Sequence, residues 1–420
     1  MSPAYALPRH VVVIAKHFGT NFAGEAIKAY QFAEILADRD VELTVITHQN
    51  AIDSGGTAGL DATYLIVPDS RLQSLLWRSR VLRFLLDPYF HLAARRMVIS
   101  EIEPGPDTVL HYLSPVSPVA LRFVPKGYEF VMGPLTGNIY YPPAFRDRMS
   151  LGLRTAERLH AFAQRVQRRI YPEKRRARTI LVSGYERTRV SLKLAGTRDD
   201  QMVDVVDAGV SDHIAVRPRI THTCPNPRFV CSGRMVDHKG TDLAIKAVAA
   251  ADPTIELDIY GDGEKRAGHE ALAAALGVTD RVHFKGWMNS HDDLIDALGS
   301  YRGYVFPSLA EANGIVMQEA MMLGLPVIAA RWGGPAMLAD DDSAVYLPVD
   351  SEDELVEALA QAMNRLAVDT DHAERLSINA RRIAEERYTW EAVAESWLTG
   401  AYRHGYGERQ DQTVPANGSR

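Results

Sequence analysis

The stretch FPSLAEANGIVMQEAMMLGLPVIAARWGGP, residues 306–335, has the pattern strand, loop, helix, strand. The run YVFPS is short, β-branched and aromatic, GIVMQEAMMLG has the apolar spacing of a helix that Gly324 caps, and PVIAA is typical of a buried strand. A helix that follows a parallel strand points its free N–H groups and its positive dipole end towards the cleft where phosphates bind. This segment therefore predicts an α/β fold with an anion-binding helix N-terminus.

Two glutamates stand on either side of the start of this helix. Glu311 precedes Asn313, Gly314 and Ile315, and Glu319 follows about two turns of chain later. Carboxylates accept hydrogen bonds from sugar hydroxyls, while backbone N–H groups bind phosphate or sugar oxygens, so the arrangement suits a nucleotide sugar. The alternative is that both glutamates are solvated helix residues, and the flanking FPS, GLP and GGP elements favour the site.

A second segment with chemical character is CSGRMVDHKGTDLAIKA, residues 231–247. A predicted strand ends at Ser232 and Gly233, the next loop carries Arg234 and Lys239, and a helix begins after that loop. Two cations on a loop at the carboxyl edge of a parallel sheet can neutralise a diphosphate, whose charge grows as a bound sugar departs. The alternative is a pair of ordinary surface cations, which the Ser-Gly-Arg and Lys-Gly context disfavours.

Strands and helices alternate along the remaining chain, which is typical of parallel sheets. A segment rich in Pro, His and Thr, residues 211–228, interrupts the alternation and predicts a linker. We therefore predict an N-terminal domain over 1–212, a linker over 213–226, a C-terminal domain over 227–388, a helix over 389–404 and a disordered tail over 405–420. The predicted strands are 10–15, 41–47, 62–68, 108–114, 129–134, 179–184 and 202–209 in the first half, and 228–233, 255–261, 281–287, 303–308, 326–330 and 344–349 in the second.

Composition agrees with two α/β domains and excludes several classes of protein. The chain has 420 residues, a length that suits two cores of about 200 residues each. Its formal net charge of −6 gives no electrostatic case for binding nucleic acid. The two cysteines, Cys224 and Cys231, are too few for a disulfide framework. No charged start with an apolar signal core and no run of 18 apolar residues occurs, so we expect a cytoplasmic-type chain.

The segments 231–247 and 306–335 together resemble the signature of retaining glycosyltransferase family 4, the "glycosyl transferases group 1" of bacterial surface-polysaccharide synthesis. The likeness extends over nearly all of residues 10–405 and is specific in the C-terminal half. It implies the GT-B fold, in which two Rossmann-like domains with parallel sheets face a cleft and a C-terminal helix crosses back to the first domain. It also implies transfer of a hexosyl group from a nucleotide diphosphate sugar to an acceptor hydroxyl, with retention of configuration and without metal or cofactor.

The resemblance also implies roles for individual residues. Arg234 and Lys239 would hold the leaving diphosphate, Glu311 the sugar hydroxyls and Glu319 the ribose, with neither carboxylate acting as a nucleophile. Further donor contacts would come from the backbone or side chains of Gly19, Gly233, Gly261, Gly286, Asn313, Gly314 and Ile315.

Two features of the N-terminal half receive less specific assignments. His111, at the end of the strand TVLHYLSP, matches a position where the family commonly has a catalytic-site histidine, although a hydrogen-bonded strand residue fits the sequence equally well. The loop GPLTGNIYYPP, residues 133–143, resembles an acceptor-side loop whose tyrosines either stack on a sugar or close a core.

Positive charge is concentrated in the N-terminal half. Residues 71–100 contain six arginines and one acid among exposed-looking leucines, and residues 151–180 contain nine Lys or Arg and two acids. This pattern predicts that the protein docks on an anionic membrane, where it would bind a saccharide or lipid-linked saccharide acceptor. The alternative is a pair of ordinary amphipathic helices.

Two other functions remain open at this point. One is a catalytically silent nucleotide-sugar-binding or scaffold protein on the same fold. The other is a different enzyme with twin nucleotide-type domains, such as a nucleotide-sugar epimerase or a dehydrogenase. A dehydrogenase is disfavoured because HFGTNFAGE, after the first strand, lacks the G-x-G-x-x-G fingerprint.

Overall fold

The computed structural model describes residues 7–21, 24–57, 59–79 and 82–402, and its strands form two parallel sheets. The N-terminal sheet has the order β3-β2-β1-β4-β5-β6-β7, and the C-terminal sheet has the order β10-β9-β8-β11-β12-β13. Every predicted strand is present, so the α/β prediction is confirmed. The strands are β1 His10–Ile14, β2 Glu42–His48, β3 Thr63–Val67, β4 Thr108–Tyr112, β5 Glu129–Leu135, β6 Thr179–Val182, β7 Met202–Asp204, β8 Arg228–Ser232, β9 Glu256–Tyr260, β10 Val282–Gly286, β11 Gly303–Phe306, β12 Val327–Ala330 and β13 Ala344–Leu347.

Helices connect these strands and cover both faces of each sheet, as parallel crossovers require. None of the described helices is both long enough and apolar enough to span a membrane. The predicted disordered tail, 405–420, lies outside the described residues. The helices are α1 Glu25–Ala37, α2 Gln49–Asp53, α3 Arg71–Arg78, α4 Leu86–Glu101, α5 Leu151–Ile170, α6 Glu173–Arg176, α7 Tyr185–Leu194, α8 Asp212–Ala215, α9 Thr241–Ala250, α10 Arg266–Ala275, α11 His291–Leu298, α12 Ile315–Met322, α13 Glu352–Val368, α14 Thr370–Arg387 and α15 Trp390–Tyr402.

The strand order reverses once in each sheet, between β1 and β4 and between β8 and β11. At such a reversal the two crossover connections leave in opposite directions, and a crevice opens outside the carboxyl ends of the strands. The sheet order therefore marks two crevices in which ligands can bind, one in each domain.

The C-terminal helix α15 packs on the N-terminal domain, as the resemblance implies. Trp397 is 1% exposed, lies in one core with Phe32 of α1, and donates a hydrogen bond from Nε1 to the Val206 carbonyl at 2.7 Å. The chain passes between the domains twice at one place, because Val210 bridges Thr389 in parallel. The two segments that cross between the domains are therefore adjacent, which agrees with the GT-B fold that the resemblance implies.

The segment predicted as the linker contacts the C-terminal domain along much of its length. Ile214 is fully buried in the core around α12, the Ile220 N–H donates to the Leu323 carbonyl at 2.8 Å, and Arg219 forms an ion pair with Glu374. The domain boundaries themselves stay a prediction.

The loop after β5 forms an additional contact between the domains. Tyr141, Phe145 and Met149 are buried in the same core as the C-terminal helices α9 and α13. Arg148 forms an ion pair with Asp242 at 2.6 Å. Of the two sequence interpretations of this loop, the structure supports core closure for Tyr141.

We expect Trp397→Ala to lower the free energy of unfolding by about 3–5 kcal/mol, because it leaves a large cavity and an unpaired Val206 carbonyl between α15 and the N-terminal domain. Urea denaturation followed by circular dichroism measures the change. The matched control is Trp77→Ala, whose side chain is 60% exposed, for which we expect a change within about 0.5 kcal/mol. Equal effects of the two substitutions would contradict the docked position of α15.

Candidate active site

Two loops at the crevice of the C-terminal sheet lie side by side. They follow β8 and β11, which pair in parallel, so both chains leave the sheet at the same edge. The Leu309 N–H donates to the His238 carbonyl at 2.8 Å, and the Ser308 hydroxyl donates to the same oxygen at 3.1 Å. Gly240 has φ +68°, and a Cβ there would lie 2.3 Å from the Pro307 carbonyl oxygen, so a side chain is excluded where the loops meet.

This contact brings together residues that are 72 positions apart in the chain. Lys239 Nζ forms an ion pair with Glu311 Oε2, and it also lies 5.6 Å from the centre of the Phe306 ring. Arg234, on the first loop, is exposed and has no ion-pair partner within 4 Å among the described residues. One lysine–glutamate ion pair and one guanidinium without an ion-pair partner among the described residues therefore lie at the same crevice.

Helix α12 begins directly beside this ion pair. Gly314 caps its N-terminus with φ +84°, and Gly324 ends it with φ +74° in a Schellman arrangement, where Gly324 N–H donates to Met321 and Leu325 N–H to Ala320. The helix begins at Ile315, one residue after Gly314, where the predicted helical run begins. Because α12 follows the loop after β11, its N-terminus lies at the carboxyl edge of the sheet, where the sequence pattern predicts it.

The loop that carries Glu311 is supported from behind by the Trp332–Gly334 turn. The Gly334 N–H donates to the Glu311 carbonyl at 2.9 Å, and a Cβ on Gly334 would lie 1.9 Å from the Ala312 carbonyl oxygen. Asn313 is 9% exposed and donates to Gln318 Oε1 at 3.4 Å, so its side chain turns towards α12. A contact of Asn313 with the donor stays a prediction.

Glu319 is buried on α12 and has a partner that the sequence did not suggest. Its side chain is 9% exposed, and Oε1 lies 3.0 Å from Nε2 of His291, the first residue of α11. The hydrogen bond to Glu319 raises the pKa of His291, although burial opposes this shift. The capping sequence Ser290-His291-Asp292-Asp293 was the available signal, because it places His291 at a helix start at the sheet edge.

A pocket of about 330 Å³ lies next to this pair. Its walls are mainly apolar and include Tyr260, Val316 and Trp287, which is 61% exposed. Gly233 also contributes to the wall. A flat aromatic ligand with one polar edge fits such a pocket.

Two of the glycines predicted to contact the donor, Gly261 and Gly19, lie close to other backbone atoms. A Cβ on Gly261 would lie 2.0 Å from the Gly233 carbonyl oxygen, and the Gly261 N–H donates to the Gly286 carbonyl at 2.8 Å. Gly19 in the other domain similarly approaches the Gly56 carbonyl oxygen. Their contacts with a donor stay predictions.

The expectation that His111 is a catalytic-site residue is wrong, because its side chain does not reach the cleft. The side chain is fully buried, with Nδ1 3.1 Å from the Tyr402 hydroxyl and Nε2 3.0 Å from the Gly133 carbonyl oxygen. Burial lowers the pKa of His111 to about 4, so the ring is neutral in the core between α1 and α15. The side chain projects from the face of β4 rather than from its end, and it serves as the hydrogen-bonded strand residue that the sequence also allowed.

A second pocket, of about 450 Å³, occupies the crevice of the N-terminal sheet. Lys16 and Ser114 line it from the ends of β1 and β4, and Lys16 forms an ion pair with Asp87 at 2.7 Å. Glu25 borders the same space, and burial raises the pKa of its carboxyl group. Hydroxyl-rich ligands suit this mixture of donors and acceptors.

Comparison with known proteins agrees with this geometry. Residues 217–383 match the family model described as "Glycosyl transferases group 1". The lipopolysaccharide core biosynthesis glycosyltransferase LpsE of Rhizobium meliloti (strain 1021) is 31% identical over 182 residues, which are 43% of this chain and 52% of LpsE. LpsD of the same strain is 34% identical over 166 residues, which are 40% of this chain and 46% of LpsD. The chain thus spans about half the length of these relatives.

Solved structures share the fold over nearly the whole chain. Sucrose-phosphate synthase from Thermosynechococcus elongatus superposes with a TM-score of 0.60 at 18% identity, covering 92% of this chain and 96% of its own. TarM superposes with a TM-score of 0.62 at 12% identity, covering 94% and 99%. These proteins are evidence for the fold alone.

We expect His291 to titrate above its ordinary pKa of 6.5, because protonation strengthens its hydrogen bond with Glu319. The stabilisation is therefore fully present below pH 6.5 and is lost as the pH rises through the folded-state pKa. The imidazole resonances in NMR spectra measure the midpoint, which should fall in Glu319→Gln and stay unchanged in the control Glu352→Gln. A wild-type midpoint at or below 6.5 would rule out the pair.

Proposed function

We propose that this chain, whose residues 217–383 belong to the glycosyl transferases group 1 family, moves a hexosyl group from a nucleotide diphosphate sugar to an acceptor hydroxyl with retention of configuration. One observation carries the proposal: the Lys239–Glu311 ion pair lies at the start of α12, with the unpaired Arg234 on the adjoining loop. An anion-binding helix start, two cations and a carboxylate acceptor are the groups that a sugar diphosphate requires.

The donor would occupy the crevice between the loops after β8 and β11. Arg234, Lys239 and the N–H groups of α12 would bind the diphosphate, and Glu311 would accept hydrogen bonds from the sugar hydroxyls. The pocket of about 330 Å³ would hold the nucleoside, with Trp287 against the base and Glu319 on the ribose, oriented by His291. Glu311 lies next to Lys239, which would bind the diphosphate. The bond between the sugar and the β-phosphate would therefore lie between these two side chains.

The proposed reaction is a displacement on one face of the sugar. The bond between the anomeric carbon and the β-phosphate oxygen breaks, and a bond from the acceptor oxygen to the same carbon forms on the same side. The leaving phosphate oxygen takes the acceptor's proton. Negative charge grows on this phosphate in the transition state, and Arg234 and Lys239 would stabilise it, as preorganised charges do.

Metal independence is part of the proposal. The two cations and the dipole of α12 supply positive charge at the phosphates, which is the role that a divalent ion plays in other phosphate sites. Neither Glu311 nor Glu319 is assigned as a nucleophile, because the resemblance gives both carboxylates a role in binding the donor.

The acceptor would bind in the pocket of about 450 Å³ at the β1 and β4 ends of the N-terminal sheet. Lys16, Glu25 and Asp87 offer donors and acceptors for the hydroxyl groups of a saccharide or lipid-linked saccharide. In the GT-B arrangement this pocket and the donor crevice open at the carboxyl edges of the two sheets. Acceptor identity and nucleotide identity stay open.

We also propose that the N-terminal domain docks on an anionic membrane from the cytoplasmic side. Around α3, Leu75 and Trp77 are each 60% exposed, Phe84 is 72% exposed, and Arg83 stacks over Trp77 at 4.7 Å. On α5, apolar side chains including Leu159 and Phe162 face outward between arginines. Apolar side chains flanked by cations are typical of helices that lie in the membrane interface.

We expect Arg234→Ala and Lys239→Ala each to lower kcat/KM by about 100- to 1,000-fold, the loss found when one preorganised transition-state contact is removed. Transfer and hydrolysis would be measured with UDP-, GDP- and ADP-hexoses and a panel of saccharide acceptors. The control is Arg382→Ala, an exposed cation on α14, which should leave both activities unchanged. The anomeric configuration of the product, determined by proton NMR coupling, tests retention.

Three outcomes of this experiment would contradict the proposal. Donor binding without turnover across the panel would favour a catalytically silent nucleotide-sugar-binding protein. Conversion of the donor sugar to its epimer would favour an epimerase, and absence of donor binding would exclude the donor site.

We expect wild-type protein to sediment with phosphatidylglycerol vesicles at low salt and to be released as salt rises, because screening weakens the arginine–lipid attraction. The variant Leu75→Ser/Trp77→Ser/Phe84→Ser should stay in the supernatant. Vesicles of phosphatidylcholine alone provide the control. Failure of the wild type to sediment with the anionic vesicles would end the docking proposal without affecting the transferase proposal.

A further inference from the structure

An open groove of about 690 Å³ lies on the N-terminal domain, away from both crevices. The second half of α4 forms one wall, the loop 123–128 forms another, and Tyr171 and Arg176 close the end. This loop leads directly into the start of β5, so the groove is at the amino edge of the sheet, whereas the proposed substrate pockets are at the carboxyl edge. None of the residues that line this groove lines the proposed donor or acceptor pocket.

The floor of the groove is apolar and partly open to solvent. Leu92 and Ile99, one above the other on α4, are 43% and 53% exposed. Phe123 faces Tyr171 with ring centres 5.7 Å apart. Ile170, at the end of α5 beside Tyr171, is 77% exposed, so the apolar surface continues beyond the groove. Partly exposed apolar side chains beside a concave surface of this kind suit an apolar ligand group.

The rim of the groove is positively charged. Arg95, Lys126 and Arg176 line it, and none of its lining residues is an acid. Arg176 is held in place, since it donates to the Pro125 carbonyl at 3.1 Å and lies 5.6 Å from the centre of the Phe130 ring. Arg95 and Lys126 have no carboxylate within 4 Å among the described residues. Their charges are available to an anion.

The backbone at Phe123 is strained, and the residue before it is firmly fixed. Phe123 has φ +51°, a left-handed conformation that is unfavourable for a bulky side chain and that proteins retain mainly where ligands bind. Arg122 is fully buried; its N–H donates to Glu173 Oε2 at 3.1 Å, and its guanidinium donates to the carbonyls of Ala120 and Ser117. The Phe123 side chain lines the groove next to this fixed residue.

We propose that the groove binds one molecule of an anionic phospholipid. The phosphate lies between Arg95 and Lys126, next to Arg176, and an acyl chain follows Leu92, Ile99 and the Phe123 ring. An occupant that is both anionic and apolar matches the groove: an inorganic anion leaves the apolar floor exposed, and a neutral apolar molecule leaves Arg95 and Lys126 without a counterion. The site is separate from the exposed patch around α3 and does not depend on the transferase activity.

Short-chain lipids below their micelle concentration test this without a membrane surface. The probe is dihexanoyl phosphatidylglycerol, titrated into the full-length protein and followed by calorimetry or by NMR of the lipid. We expect saturable binding of one molecule, at least tenfold tighter than binding of dihexanoyl phosphatidylcholine. The diheptanoyl lipid should bind still more tightly, by about three- to fourfold for each added methylene that becomes buried.

Substitutions of residues in the groove test whether the lipid binds there. Arg95→Gln/Lys126→Gln should weaken binding at least tenfold, whereas Arg375→Gln/Arg382→Gln on α14 removes equal charge and should leave it unchanged. Phe123→Gly removes the ring and also the backbone strain, so it should weaken binding while the protein stays folded. The thermal unfolding midpoint of each variant separates loss of the site from loss of the fold.

Each of the other outcomes would overturn the proposal. Equal binding of glycerol 3-phosphate would make the groove an anion site only, and equal binding of phosphatidylcholine would make it an apolar surface only. Binding that the two groove variants leave unchanged would place the lipid elsewhere. Because no readout involves sugar transfer, these results and those of the transferase assays are independent.

Discussion

The adjacency of β8 and β11 is the constraint on which the candidate active site depends. Because these strands pair in parallel, the loop that carries Arg234 and Lys239 and the loop that carries Glu311 leave the sheet together. Close approach is then possible only because Gly240 has no side chain, which lets the backbone of one loop contact the Pro307 carbonyl of the other. An alanine there would separate Lys239 from Glu311. Backbone geometry thus brings the two loops together, and this contact allows Lys239 and Glu311 to form their ion pair.

The two domains are joined by more than a hinge. The crossings at Val210 and Thr389 are neighbours, which is the geometry of a single axis about which one domain can rotate against the other. The loop after β5, however, buries Tyr141 in the core of the C-terminal domain and links Arg148 to Asp242. Trp332 donates to the Tyr140 carbonyl at 2.7 Å on the same side. Rotation of one domain against the other must carry this loop along or detach it, so the loop links the N-terminal domain to the C-terminal domain.

The two domains differ in the charged and apolar side chains that they expose. The whole chain is acidic, yet the N-terminal domain exposes arginines beside apolar side chains along α3, α4 and α5. Buried ion pairs and hydrogen bonds hold this domain's loops in place, as with Arg122 under the lipid groove that we propose. The proposed lipid contacts thus involve a surface that is both cationic and apolar, whereas the proposed donor site lies in the crevice of the C-terminal domain.

The amino-acid sequence by itself determined the strands, their parallel arrangement and the caps of α12, because apolar periodicity and glycine positions are local properties that tertiary packing did not override here. It also predicted that Arg234, Lys239, Glu311 and Glu319 belong to one site, since motif spacing reports on loops at strand ends, and their roles stay predictions. Tertiary structure alone decided the partners: Lys239 with Glu311, and Glu319 with His291, which lie far apart in the chain. It also reversed the expectation for His111. A strand's sequence shows where it ends but not which face a side chain occupies once helices from both ends of the chain pack against it, and α1 and α15 enclose His111 completely.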